Sequence, residues 1–243
     1  MANRYYHNGN WEAGDVWLTD QEAHHLLHVM RHRVGEQVEL FDGRGHAARA
    51  TIVEIQKRQV RLHIDEPLHT SLPACSRTLI LATAVPKGDR FRWLIEKATE
   101  LGVTRLVPLH TERSVVAPRE SKLDKQQQYV IEACKQSGRN TLLEFVPQQS
   151  LSEFLNSLSP LSCCVVGHPR ATMNASELRS ALHANQGEIA LLVGPEGGFS
   201  PQEEQQLQER GVLSVSVAPH ILRTETAGLL LAGVVAYLAA PPP

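Results

Sequence analysis

The stretch GPEGGFS, Gly194 to Ser200, places three glycines, a proline and a carboxylate directly after the apolar run Leu191-Leu192-Val193. Three apolar residues are too few for a helix and read as the end of a buried strand, while the glycines permit backbone angles that other residues avoid. Ser200 can cap a helix beginning at Pro201, and Glu203 completes a Ser-x-x-Glu capping box. Strand, glycine loop and helix in succession turn backbone N–H groups into a concavity, which in nucleotide-binding proteins receives phosphate. Neither the dinucleotide pattern Gly-x-Gly-x-x-Gly nor the P-loop is present, however, and Glu196 puts negative charge where a polyphosphate would lie. A ligand without phosphate fits better, with a plain tight turn as the structural alternative.

A second constellation is Arg223-Thr224-Glu225-Thr226, a charged cluster at the mouth of the apolar segment Ala227 to Ala240. Thr224 suits a helix cap. Arg223 either pairs with Glu225 or Glu196, or presents a cation to a substrate. His24, His28 and His32 are spaced i, i+4, i+8, but no cysteine or carboxylate completes a metal site, and Arg31 and Arg33 stand beside them, so the face reads as a surface for RNA and no metal is expected. Lys87 to Trp93 (KGDRFRW), Arg113, Arg119 and Arg139 add basic loop residues, offset by Asp89, Glu112 and Glu120.

The elements that must position these groups fall into two regions. From Val16 to Ile64 the segments VWL, QVELFDG, ARATIVEIQ and QVRLHI read as short strands of a small β-barrel. One helix interrupts it, because Thr19 to Glu22 forms a further capping box ahead of AHHLLHVMRHR. Residues 67–76, with two prolines and small polar residues, are the expected linker between a domain at 1–70 and one at 77–243. Beyond it strands and helices alternate through TLILATAV, a helix Phe91 to Leu101, TRLVPL, a helix ending at Gly138, TLLEFV, a short helix, CCVVGH, helix Ser176 to His183, EIALLVG, helix Pro201 to Arg210, LSVSVA and the terminal helix. That order predicts an α/β domain with a mainly parallel sheet. Ligands of such sheets gather at the carboxyl ends of strands, and GHPRA after Val166, GPEGGFS after Val193 and APHILRTETA after Val217 are the three loops that qualify.

Composition narrows the function classes. A net charge of −2 announces no nucleic-acid partner, so any such partner must meet local basic patches. Cys75, Cys134, Cys163 and Cys164 form no C-x-x-C and read as reduced and structural. The first twenty residues carry Arg4, Glu12, Asp15 and Asp20 with no apolar run, so no signal peptide is visible and the cytoplasm is expected. Ala227 to Ala240 is fourteen residues long, short of the ~20 a membrane span needs. Being apolar nearly all round, it predicts a helix buried on more than one side, in a core or against a second subunit.

Together RYYH, HHLLHVMRHRVGE, LFDGRG, KGDRF, IEKATELGV, ERS, EACKQSGRN, HPR, GPEGGFS and ILRTETA resemble the RsmE family of SPOUT-superfamily methyltransferases, which modify N3 of a uridine in bacterial 16S ribosomal RNA. The resemblance implies a PUA-like β-barrel in front of an α/β domain with a deep trefoil knot, S-adenosyl-L-methionine held in the knot, a homodimer, and the small ribosomal subunit as partner. Carried over by position, the implied cofactor residues are Val166, Gly167 and His168, then Gly194, Pro195, Glu196, Gly197 and Gly198, then Ala218, Pro219, Ile221, Leu222, Arg223 and Thr224. Ala218 and His220 depart from the glycine and arginine common there among relatives.

Uracil N3 becomes a nucleophile only on losing its proton, so something cationic should meet the ring. Arg223 is the choice, with Glu225, Glu196 or water as base. Arg4, Arg31, Arg33, Arg113 and Arg139 are the expected RNA contacts. The alternatives are a ribose 2′-O methyltransferase of the same superfamily and a non-catalytic dimeric RNA-binding protein.

Overall fold

The computed structural model describes residues 3–11, 14–68, 77–114 and 123–240. Two compact units are formed: Met1–Pro73 with Ile131–Leu142, and Ala74–Val130 with Leu143–Pro243.

In the first unit β1 (Arg4–Tyr6), β2 (Asp15–Leu18), β3 (Gln37–Phe41), β4 (Ala47–Ile55) and β5 (Val60–Leu68) make one sheet in the order β1-β3-β4-β5-β2. All pairs are antiparallel except β1 with β3. Register shifts in β4 and β5 at Ala50 and Glu54 add local twist, which curls a sheet. Alternating residues Val38, Leu40, Ala50, Ile52, Val60 and Leu62 fill its inner face with Tyr5 and Leu26. β1 was not among the expected strands, and β5 runs through Pro67 and Leu68 where the linker was expected to begin. Residues 69–76, the rest of that linker, lie outside the described residues.

The capping box expected at Thr19 is not formed. Thr19 makes no side-chain cap bond, and the Glu22 carboxylate accepts from the Tyr6 N–H at 3.1 Å and from Lys135 Nζ at 3.2 Å. Tertiary donors outcompete the local one. The helix α1 (Asp20–His24) then widens into a π-helical turn, His25–Met30, which stops at Arg31 in the left-handed region, φ 58°.

The second unit contains β6 (Leu79–Ala84), α2 (Arg90–Glu100), β7 (Arg105–His110), the start of α3 (Leu123–Ser137), β8 (Glu144–Phe145), β9 (Gln149–Ser150), α4 (Leu151–Ser157), β10 (Cys163–Gly167), α5 (Ala175–Ala184), β11 (Ile189–Val193), α6 (Pro201–Glu209), β12 (Leu213–Val215) and α7 (Thr224–Ala239). The strands pair in parallel in the order β12-β10-β11-β6-β7-β8, with β9 also on β7. Strands with both faces covered should be apolar throughout, and β6 and β11 are buried at every position. Ile80, Ala82, Ala190, Leu192 and Val166 face a layer with Phe154 and Leu207 of α4 and α6, while α7 packs on β6, β10 and β11 and on α2. Leu231 and Val235 of α7 are fully buried, each worth about 1.5–3 kcal/mol of burial. No described helix is long and apolar enough to cross a membrane.

Candidate active site

The three loops leave the same ends of adjacent parallel strands, β11, β10 and β12, and together they line a cavity of about 380 Å³. That is within the range of small-molecule sites. After β11, the capping box at α6 is complete: Ser200 N–H donates to Glu203 Oε2 at 2.8 Å, and Glu203 N–H donates to Ser200 Oγ at 3.4 Å. The glycine loop turns tightly, with Gly198 N–H donating to the Pro195 carbonyl at 2.8 Å. Gly198 has φ +71°, a conformation that L side chains rarely adopt. A Cβ on Gly194 would approach the Phe199 ring to 3.0–3.3 Å, so the loop's tightness is set by that ring.

The other loops are fixed by short-range bonds. His168 N–H donates to Val215 O at 2.9 Å, joining the β10 loop to the end of β12. Ser216 Oγ donates to Ala218 O at 3.1 Å, and Thr224 Oγ1 donates to Gly194 O at 3.3 Å, tying the start of α7 to the glycine loop.

Of the residues expected around the cofactor, Gly167, His168, Gly194 to Gly198, Ala218, Ile221, Leu222 and Thr224 line the cavity. Val166, Pro219 and Arg223 do not. Val166 is a core residue of β10, 5% exposed, one position too early in a strand whose side chains alternate between faces. His220 lines the cavity as well, and Ile221 stands 87% exposed at it.

A smaller cavity lies against the first, walled by Pro195, Glu196 and Thr224, which line both, and by Ala84, Val85, Lys87 and Ser114. It opens where β6 and β11 lie side by side while their chains continue to opposite halves of the sheet, the crevice in which such folds bind ligands. Arg90, at the start of α2, reaches both nearby carboxylates: its Nη1 is 3.6 Å from Glu196 Oε1 and 3.5 Å from Glu225 Oε1. The structural reading of Arg223 as the partner of Glu225 or Glu196 is therefore replaced by Arg90. Arg223 is exposed and has no ion pair among the described residues. Sequence reasoning missed Arg90 and Lys87 as site residues, although both stand in the KGDRF segment. Their relevance needed the adjacency of β6 and β11, 110 or so residues apart in the chain.

A family model described as an RNA methyltransferase domain matches residues 73–236, and one described as an RNA methyltransferase PUA domain matches residues 18–65. The ribosomal RNA small subunit methyltransferase E of Rickettsia conorii is 31% identical, over 93% of this chain and 92% of its own length. That of Bacillus subtilis is 29% identical over 93% and 91%. The crystal structure of a ribosomal RNA small subunit methyltransferase E from Neisseria gonorrhoeae bound to S-adenosyl methionine superposes with a TM-score of 0.86 at 33% identity, covering 96% of this chain and 95% of that one. The chain belongs to the ribosomal RNA small subunit methyltransferase E family.

Its second unit is accordingly a SPOUT α/β-knot domain and its first a PUA-like one. In this methyltransferase the arginines expected on RNA separate into distinct groups. Arg4 is 4% exposed; its Nε donates to Glu39 Oε1 at 2.7 Å, its Nη1 to Cys134 O at 2.8 Å and its Nη2 to Asn140 Oδ1, and Phe41 packs under the guanidinium. It fastens Ile131–Leu142 to the curled sheet and is not available to RNA. Arg113 is likewise committed: its Nη1 donates to Gly197 O at 2.8 Å and Phe199 O at 3.2 Å, and its stem lies against Gly197, so it clamps the glycine loop. Arg139 is part-buried and donates to Thr141 Oγ1 at 3.1 Å; burial pulls its guanidinium below its ordinary value. Arg31 and Arg33 are exposed with no ion pair among the described residues. Arg119 lies outside the described residues.

Near Arg31, His24 and His28 are exposed and only His32 has an ion-pair partner among the described residues. The His24 and His28 rings pack at 4.9 Å, and His32 pairs with Glu36. Cys134, Cys163 and Cys164 are free and buried, and burial pushes the Cys134 thiol up to about 11.

Proposed function

We propose that the protein transfers a methyl group from S-adenosyl-L-methionine to N3 of a specific uridine in 16S ribosomal RNA of the small ribosomal subunit, acting in the cytoplasm as a homodimer. The observation that carries this reading is the cavity lined by three loops, with Glu196 on its wall and joined through Arg90 to Glu225.

The lining suits this cofactor. Val193, Pro195, Phe199, Val217 and Leu222 offer apolar contact for an adenine, the glycine backbone offers polar groups at close range, and Glu196 and Glu204 supply negative charge for a cationic ligand. When bound, S-adenosyl-L-methionine supplies a methyl group on a positively charged sulfur. The protein's own work is then to hold the uracil and to manage its proton. Arg223 lies between the cavity residues Leu222 and Thr224, exposed and without an ion pair among the described residues, so its guanidinium is placed to meet the charge that develops on the uracil carbonyls.

Arg31 and Arg33 of the PUA-like unit, exposed and without an ion pair among the described residues, are the cations assigned to RNA phosphates, a role that makes binding weaken with salt. The dimer is supported by α7, whose Leu230 and Tyr237 remain 39% and 83% exposed on an otherwise apolar helix.

The test is incubation with labelled S-adenosyl-L-methionine and small subunits from a strain lacking the protein, followed by nucleoside mass analysis. Label in 3-methyluridine is the expected result. Label in a 2′-O-methylated nucleoside would move the reaction to ribose, and no transfer with RNA still bound would leave a binding protein.

A further inference from the structure

Glu225 is 4% exposed, yet folding explains only half of it. Its Oε1 lies 3.5 Å from Arg90 Nη1, whereas Oε2 is buried with no hydrogen-bond partner among the described residues. A carboxylate oxygen held away from water without a donor is costly. Its place in the first turn of the sixteen-residue α7 accounts for the charge, which the helix N-terminus favours. It does not account for the missing donor. Thr224, its neighbour in the chain, and Glu196, to which Arg90 links it, both line the two cavities. A ligand N–H presented there is the partner this oxygen lacks.

We propose that Glu225 is the general base of the reaction, with Arg90 as the positioning residue that holds Oε1 and leaves Oε2 to the substrate. The inference rests on the uracil-N3 reading above. In the step, the N3–H bond of the target uracil breaks, its proton passes to Glu225 Oε2, and the bonding pair stays on N3, where it is free to take the methyl group. Negative charge moves from the carboxylate to the ring, toward Arg223. Glu196 is the weaker candidate, because its side chain is 53% exposed and water satisfies it; nothing in the fold reserves one of its oxygens. Reaching Oε2 takes only a local shift of Arg90 that keeps its contact with Oε1: the contacts of 3.5 and 3.6 Å are longer than the ~2.7–2.9 Å of tight charge-assisted bonds, and a third of its side chain is exposed.

The deciding variant is Glu225→Gln, which keeps shape and removes the proton acceptor. Single-turnover methylation of unmethylated small subunits should slow by roughly 10²-fold or more, the scale of general-base loss, while calorimetric affinity for S-adenosyl-L-methionine is unchanged. A binding readout without cofactor accompanies it. The variant should bind unmethylated subunits roughly tenfold more weakly than wild type but methylated subunits equally well, since these have no N3–H to donate. Arg90→Ala should lower kcat with KM unchanged, and Arg90→Lys should recover part of it; a wild-type kcat in Arg90→Ala removes the positioning role.

A Glu225→Gln rate within threefold of wild type, with a depressed melting point, would overturn the proposal and leave Glu225 as a helix-start residue. Should that variant not fold, the wild-type pH profile still decides. A pH-independent rate supports a protein base, and a rate rising tenfold per pH unit throughout assigns the task to hydroxide and overturns it. A wild-type protein that transfers no methyl group at all removes the uracil-N3 reading and this inference together.

Discussion

Replacing Arg113 by alanine separates two roles for one residue. Sequence placed it on RNA, and the structure has it clamping the glycine loop through two carbonyls, Gly197 O at 2.8 Å and Phe199 O at 3.2 Å. Bonds from a charged donor contribute ~1.5–3 kcal/mol when shielded. Arg113 is exposed, so solvent screening brings each toward ~0.5–1 kcal/mol, and the pair totals about 1–2 kcal/mol. Without the clamp the loop samples other conformations, and ligand binding must restore the tight one. At most the whole 1–2 kcal/mol then appears as lost affinity, roughly fivefold to thirtyfold in Kd. Calorimetry with S-adenosyl-L-methionine on Arg113→Ala measures this directly, with Arg113→Lys as a control that keeps charge but not the forked geometry. An unchanged Kd together with weakened, less salt-dependent RNA binding would refute the clamp and return Arg113 to the RNA surface.

Arg223→Ala should cut the single-turnover methylation rate by roughly 10²-fold with no change in melting temperature, because no ion pair is lost, and raising pH should restore part of the rate; a near-normal rate would end the catalytic assignment. Arg4→Ala removes the bonds to Glu39, the Cys134 carbonyl and Asn140 and should destabilise the first unit by about 3 kcal/mol, read by denaturant unfolding, whereas RNA affinity of the folded variant stays as in wild type. In α7 the choice of residue matters: Leu231 is fully buried within its own chain, so Leu231→Glu should give insoluble protein, while Leu230→Glu with Tyr237→Glu should give folded monomers by light scattering. A monomeric wild type at micromolar concentration would remove the dimer.

What the sequence determined were the features that depend on neighbours in the chain. The glycine loop with its Ser200–Glu203 box, the alternation of strands and helices, and the placement of three loops beyond strand ends are all local patterns, and they located most of the cavity lining. Local patterns failed where a distant group offered a better partner. The Thr19–Glu22 box lost to Tyr6 and Lys135, because a tertiary bond from a part-buried donor outweighs a cap exposed to water. Arg4 read as a free cation until Cys134 and Asn140, some 130 residues on, buried it. Above all, the charge arrangement at the site belongs to the tertiary structure. Only the pairing of β6 with β11 brings Arg90 to Glu225 and Glu196 and so releases Arg223, and that pairing is set by the order of strands in the sheet, which no run of adjacent residues encodes.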